Sequence, residues 1–296
     1  MSTTAPNTLP VCLSIAGSDS GGGAGIQADL KAFAACGVHG TTAITAITSQ
    51  NTVAVTGVWP VSPEAIVAQV AAVVGDMDVR AVKIGMLGSV ATTEAVARAL
   101  DLVPADVPIV VDPVMVAESG ATLLDDDARS ALVRLILPRA TVVTPNLPEA
   151  RVLARAGAPA GEPHASAAAA DPPQDEAAEA EALARAIHAL GPACVVVTGG
   201  HRTEAIDTVF DGTTVTRITG ERYADGAAHG SGCTHASALA AHLAHGLTPV
   251  QAARRAKAVA AAAVRDGLRS VGKGSGPVDA LGIQGRGGGE SPDRDR

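Results

Sequence analysis

Short β-rich runs and alanine-rich helical stretches succeed one another along most of this chain, and that order constrains the fold more than any single residue. A strand, a crossing helix and a further strand make a parallel unit. A series of such units gives a mostly parallel sheet with helices on both faces. Residues 11–16, 42–48, 79–84, 108–111, 140–144 and 193–198 read as strands. Residues 24–35, 63–74, 89–100, 125–137 and 146–156 read as helices. Pro63 suits the first turn of its helix. Asp211-Gly212 lies between residues 205–210 and 213–219, which predicts a hairpin. Two helices, 233–245 and 248–268, close the pattern. The expected architecture is a three-layer αβα fold in one domain over residues 11–280. Residues 158–176 are rich in Ala, Pro and acid without an apolar period, and read as a flexible surface insertion. Residues 1–10 and 285–296 read as disordered termini.

Composition excludes several partners. Aromatic residues are 1% of the 296, too few for a stacking platform for nucleic acid. The net charge of −8 opposes binding to a phosphate backbone. A phosphate-bearing ligand must therefore be held locally, by N–H groups and metal. Cys12, Cys36, Cys194 and Cys233 form no CxxC pair and no metal spacing. Cys12 and Cys194 lie in apolar runs and are expected in the core. No secretory signal and no apolar run of membrane-spanning length are present, so a soluble cytoplasmic protein is expected.

The chemistry gathers where strands end, which is where open α/β sheets bind ligands. Gly230-Ser231-Gly232-Cys233 leads straight into a helix. Such a junction bares backbone N–H groups at the positive end of a helix dipole and makes an anion site. A thiol on that first turn is expected to have a lowered pKa. An anion cradle beside an activatable side chain points to phosphoryl or acyl transfer. The plainer alternative is a glycine-rich turn with a buried structural cysteine.

Gly23-Ala24-Gly25 and the residues after it fit a dinucleotide fingerprint formally. The next strand ends in Ser49-Gln50-Asn51, however, where a ribose-binding acid belongs, which argues against NAD. Asp29 is either a surface acid favouring the helix dipole or a ligand for a polar substrate group. Residues 267–274 miss the P-loop at its Ser/Thr position and follow a helix, so they are set aside. Asp112, Asn146 and Glu149 offer oxygen ligands of the kind Mg²⁺ takes. Spacing alone favours a helix cap for Asn146 and Glu149.

Residues 15–31 (IAGSDSGGGAGIQADLK), 48–52 (TSQNT), 83–88 (KIGMLG), 112–115 (DPVM), 144–149 (TPNLPE) and 229–234 (HGSGCT) occur in this order. Together they resemble the hydroxymethylpyrimidine/phosphomethylpyrimidine kinases of thiamine biosynthesis, within the ribokinase-like superfamily. The likeness runs from Val11 to Val278. It implies an ATP- and Mg²⁺-dependent kinase that phosphorylates 4-amino-5-hydroxymethyl-2-methylpyrimidine and then its monophosphate. It implies that Gln50 pairs with the pyrimidine edge and that Gly17, Asp29, Met86 and Val114 line the same pocket. Cys233 would be catalytic, with the N–H groups of Gly230 to Cys233 as the anion hole. Asp112, Asn146, Glu149 and Thr198 would serve metal and ATP. Small-molecule partners, no nucleic acid, no membrane and a homodimer are expected.

The chain departs from that family at three places, one of them the insertion 158–176, which is longer than the family usually carries. Ser20-Gly21 stands where Pro-Ser is frequent, and Thr198 stands where many members carry a lysine linked to ATP phosphates. Two other functions compete: a pyridoxal-type kinase and a non-catalytic pyrimidine-binding sensor. Gln50 and Met86 favour the pyrimidine. Asp112, Glu149 and the complete cradle motif argue against the sensor.

Overall fold

A computed structural model describes residues 9–116, 120, 123–156, 175–200, 205–223 and 226–286. In chain order the elements are β1 (Val11–Ala16), α1 (Gly25–Ala35), β2 (His39–Ile44), β3 (Ala46–Gln50), β4 (Val55–Pro60), α2 (Pro63–Val74) and β5 (Val79–Ile84). Then come α3 (Val90–Ala99), β6 (Ile109–Val111), α4 (Asp126–Ala131), β7 (Val142–Val143), α5 (Leu147–Ala156) and α6 (Glu176–His188). The chain continues with β8 (Cys194–Val197), β9 (Asp207–Phe210), β10 (Val215–Ile218), α7 (Ser231–Ala244), α8 (Pro249–Arg265) and α9 (Ile283–Arg286).

The main sheet runs β10-β9-β8-β7-β6-β5-β1-β2. The strands from β2 across to β8 pair in parallel, and β9 and β10 are antiparallel additions. Side chains alternate between two cores with the period of two that a strand imposes. Leu13, Ile15, Val82, Ile84, Val111, Val143, Val195 and Val197 face α2 to α6. Cys12, Ala81, Val110, Val142, Cys194 and Val196 face α1, α7 and α8. The second face is built mainly from small side chains. Ala236, Ala238, Ala240 and Ala241 of α7 pack with Ala252, Ala253 and Ala256 of α8, so the core closes with few aromatic rings. Burial on the scale of about 25 cal/mol per Å² of apolar surface is then collected through close approach rather than large side chains.

β1 lies between β2 and β5, so the chain passes to one side of β1 and then to the other. This reversal opens a crevice at the carboxyl ends of β1 and β5. Residues 17–25 and the start of α7 both enter it.

Several expectations change. Residues 42–48 are two strands rather than one. β2 ends at Ile44, whose backbone is closed off by Gln69, with Oε1 accepting at 2.9 Å and Nε2 donating at 3.2 Å. Thr45 is then pinned to Ala16 O, Val61 N and Met86 O, and the chain leaves the main sheet. β3 pairs antiparallel with β4 as a separate flap that carries Gln50 at the end of β3. Residues 125–137 are helical only through Ala131. A π-turn at Leu132–Ile136 and a 3₁₀ turn at Leu137–Arg139 follow, where Pro138 lacks the N–H that would continue the ladder. Asp175 caps α6 by accepting from Ala177 N and Ala178 N, so the last residues assigned to the insertion begin a helix. Residues 158–174 lie outside the described residues. Residues 285 and 286 close α9, whose first N–H groups are capped by Asp279, and residues 287–296 lie outside. Among the described residues no helix is long and apolar enough to cross a membrane.

Candidate active site

Two glycine-rich segments meet at the crevice. Gly230 is the N-cap of α7 with φ of +84°, and a Cβ there would stand 1.8 Å from Gly23 O. Only glycine combines that dihedral with that approach. Across the contact, His229 Nε2 lies 3.0 Å from Asp19 Oδ2, and the Asp19 carboxylate also accepts from the N–H groups of Gly21, Gly23 and Ala24. Burial would raise the Asp19 pKa, but His229 and these donors outweigh it and hold it below the usual range. Asp19 therefore fastens the first loop to the α7 cradle. Sequence reasoning missed it, although an acid inside a glycine run is a signal for N–H capture.

Ser231 N–H is taken by Ala228 O, so it does not join the anion hole as expected. Thr234 N bonds Gly230 O and is the first regular donor of the helix. The N–H groups of Gly232 and Cys233 precede it and form the open first turn. A Cβ at Gly232 would meet nothing within 4 Å, so this turn faces free space.

Cys233 lines the same cavity, of about 740 Å³. Its thiol is not activated as the helix terminus suggested. Burial pushes it up to about 12, against the pull of Lys83, and the carboxylates of Asp112 and Asp29 add to the rise. A helix dipole contributes less than the desolvation and the neighbouring carboxylates cost a thiolate at this half-buried position.

Asp29 is neither a surface acid nor part of the cavity wall. It is fully buried, accepts from Ser14 Oγ at 2.6 Å and Ser237 Oγ at 2.7 Å, and pairs with Lys83 Nζ at 2.9 Å. Lys83 is equally buried and stands 3.8 Å from Asp112 Oδ2. Burial alone would lower the Lys83 pKa; the charges of Asp29, Cys233 and Asp112 reverse that and keep it protonated. A lysine in the apolar run 79–84 was the sequence signal for this group.

Asp112 Oδ2 is buried without a hydrogen-bond partner. Burial raises the Asp112 pKa, and Lys83 only partly offsets this. Glu149 is pushed up to about 8 by burial and by Asp112, despite N–H donors from Asn146 and Met115. Asn146 and Glu149 do form the helix cap. Glu149 N donates to Asn146 Oδ1 at 2.9 Å, and Asn146 N donates to Glu149 Oε2 at 3.0 Å. Both also line the cavity. An orphaned buried carboxylate oxygen on Asp112 and the Glu149 carboxylate, lining one cavity, are donors of the kind a hard divalent cation takes.

Gly17, Gln50, Met86, Val114 and Thr198 all line the cavity. A Cβ at Gly17 would stand 2.4 Å from Met86 Cε, so the backbone there runs directly against the methionine. Gln50 is set by Ser20, whose hydroxyl donates to Gln50 O at 2.7 Å and accepts from Gln50 N at 2.8 Å. Ser20, one of the family departures, thus clamps the backbone of the flap. Beyond Cys233 the wall is made by Asp207, His235 and Lys257, then by Ala260, Ala261 and Val264 of α8. None of these was singled out from sequence.

The sequence model described as phosphomethylpyrimidine kinase matches residues 19–279. A hydroxymethylpyrimidine/phosphomethylpyrimidine kinase of Rhizobium meliloti is 47% identical over 271 residues, covering 90% of this chain and 96% of the relative. A Bacillus subtilis pyridoxal kinase, solved as an ADP complex, superposes with a TM-score of 0.80 at 33% identity, covering 94% and 99% of the two chains. A Clostridium difficile phosphomethylpyrimidine kinase gives 0.69 at 35% identity, covering 84% and 96%. The match across nearly the whole chain, together with the shared sheet, shows that this chain belongs to the phosphomethylpyrimidine kinase family.

Proposed function

We propose that the chain transfers the γ-phosphoryl group of ATP to the hydroxymethyl group of 4-amino-5-hydroxymethyl-2-methylpyrimidine, and then a second phosphoryl group to the monophosphate, in thiamine biosynthesis. The observation that carries this is one cavity lined both by Gln50 and Met86 and by the α7 cradle with Asp112 and Glu149. A glutamine amide donates and accepts at once, as the edge of an aminopyrimidine requires.

Phosphoryl transfer passes through a loose transition state, so the protein contributes mostly position and neutralisation. The Gly232 and Cys233 N–H groups hold the moving phosphoryl oxygens. The substrate oxygen forms its bond to phosphorus as the bond to the ADP oxygen breaks. The Cys233 thiol lines the cavity in its protonated form, with the Asp112 carboxylate near enough to raise its pKa. The proton leaving the hydroxyl is taken at Cys233 Sγ as the thiol proton passes to an oxygen of the phosphoryl group held on the cradle, so the product phosphate ends with it. Lys83 stays charged behind both groups and limits the cost of negative charge there. Asp112 and Glu149 would hold Mg²⁺, which supplies charge neutralisation on the triphosphate. Thr198 and the α8 wall face the nucleotide. Asp29 acts indirectly, by anchoring Lys83.

A reducing cytoplasm and a homodimer complete the reading. Four free cysteines support the first. The exposed Ile47, Val58 and Trp59 on the flap support the second. A pyridoxal-type kinase is the second reading, favoured by the superposition on a pyridoxal kinase. ATP consumption with the pyrimidine, its monophosphate and pyridoxal decides between them. Turnover of both pyrimidines is expected. Turnover of pyridoxal alone refutes the reading, and no turnover with any of the three leaves the binding sensor.

A further inference from the structure

The wall beyond Cys233 contains an ion pair that the phosphoryl cradle does not need for its own structure. Lys257 Nζ lies 2.7 Å from Asp207 Oδ1, and its side chain is 13% exposed within the cavity wall. The same Asp207 oxygen accepts from Gly199 N at 2.8 Å, which places the pair beside Thr198 at the end of β8. Asp207 Oδ2 stands 3.3 Å from His235 Nε2, one helical turn past the cradle. Neither ring nitrogen of His235, a buried residue, has a hydrogen-bond partner, and Asp207 Oδ2 has none either. The carboxylate thus has a second partner already beside it.

The other basic side chains of the cavity are differently placed. Lys83 is fully buried against Asp29, and Arg222 is exposed at the rim. A triphosphate seated on the cradle brings several negative charges to this wall, and among the described residues Lys257 is the ammonium within it. Leaving Asp207 does not strand a bare buried charge, because Gly199 N–H remains and His235 can close on Oδ2. The stem of Lys257 runs directly over Gly220, where a Cβ would stand 2.6 Å from Lys257 Cε, so this glycine admits the lysine to the cavity wall.

We propose that Lys257 is a ligand for the nucleotide phosphates, held on Asp207 in this structure and drawn off it by a bound triphosphate, with His235 taking over Asp207. This rests on the kinase reading above. The test is calorimetric titration of wild type, Lys257→Met and the double variant Asp207→Asn/Lys257→Met with two probes, AMP-PCP and adenosine. A charge-assisted phosphate contact predicts a loss of about ten- to a hundred-fold in AMP-PCP affinity in both variants, with adenosine affinity unchanged. The double variant leaves no unpaired buried carboxylate and carries the test if the single variant fails to fold. Equal weakening of both probes means a structural ion pair and overturns the inference, as does unchanged AMP-PCP affinity. Wild type that binds no AMP-PCP overturns the kinase reading, and this inference falls with it.

Discussion

Glu149→Gln separates the charge of this residue from its role as a cap. The folded-state value of about 8 lies above the ordinary 4.5, so the native state binds more protons than the unfolded chain between those limits. Stability therefore falls as pH rises through that window and levels off above about pH 8. At pH 7 the difference amounts to about 3 kcal/mol against the native state. Glutamine does not ionise and escapes this cost. Its single carbonyl oxygen satisfies only one of the two N–H donors, Asn146 at 3.0 Å or Met115 at 3.4 Å. Losing the weaker bond costs about 1 kcal/mol. The net expectation is a gain of about 2 kcal/mol at pH 7, or roughly 4–8 °C in Tm for a domain of this size. Thermal melts from pH 4.5 to 9 without divalent cation check it. The gap between variant and wild type should grow with pH and then flatten. Added Mg²⁺ should stabilise wild type and not the variant, and kinase turnover of the variant should fall. A gap that is constant with pH, or that shrinks, refutes the assignment of a raised pKa to Glu149.

Cys233→Ala is expected to lower kcat about 10²–10⁴-fold with pyrimidine affinity unchanged, as for loss of a proton-transfer group; near-normal turnover would make the thiol a packing residue. Because the thiol is protonated at neutral pH, its alkylation by iodoacetamide should be slow at pH 7 and should rise steeply with pH. Gln50→Leu should reduce kcat/KM for the pyrimidine about ten- to a hundred-fold, leaving basal ATP hydrolysis nearly intact, and an unchanged kcat/KM removes Gln50 from the pocket. Replacing residues 158–174, which include Pro159, Pro163, Pro172 and Pro173, by a short Gly/Ser linker should leave Tm and both phosphorylation steps nearly unchanged. A large loss of kcat at constant Tm would instead assign that segment a part in catalysis.

The fold was legible where local chemistry and tertiary packing agree. β1, α2 and β5 have the bounds read from the sequence, because each is a continuous apolar or periodic run punctuated by Pro, Gly or a cap. The β2–β3 boundary was hidden. Residues 42–48 are uniformly β-prone, and the break at Thr45 comes from bonds to Ala16, Val61 and Met86, none of which is near in sequence. The flap strand β4 and helix α6 went unread. β4 packs little of its surface and so lacks clean alternation, and α6 is an alanine-acid stretch adjoining a segment of similar composition.

At the site, position was legible and charge state was not. The glycine junctions could be found because only glycine tolerates the approach of Gly230 to Gly23. The thiol shift was read with the wrong sign, because a first-turn cysteine carries the helix dipole in its sequence but not its burial. Asp112 and Asp29 bring like charge to within reach of Cys233, and desolvation exceeds the help from Lys83. Asp29, in turn, is drawn inward by Lys83, Ser14 and Ser237, residues 54, 15 and 208 positions away. The consequence is chemical. A site that holds its thiol protonated, with a lysine behind it and a carboxylate beside it, cannot offer a standing thiolate, and a loose phosphoryl transfer does not require one. The proton needs an acceptor only as the oxygen–phosphorus bond forms. In the proposed mechanism the Cys233 thiol relays the proton at that moment, without leaving a reactive anion exposed between turnovers.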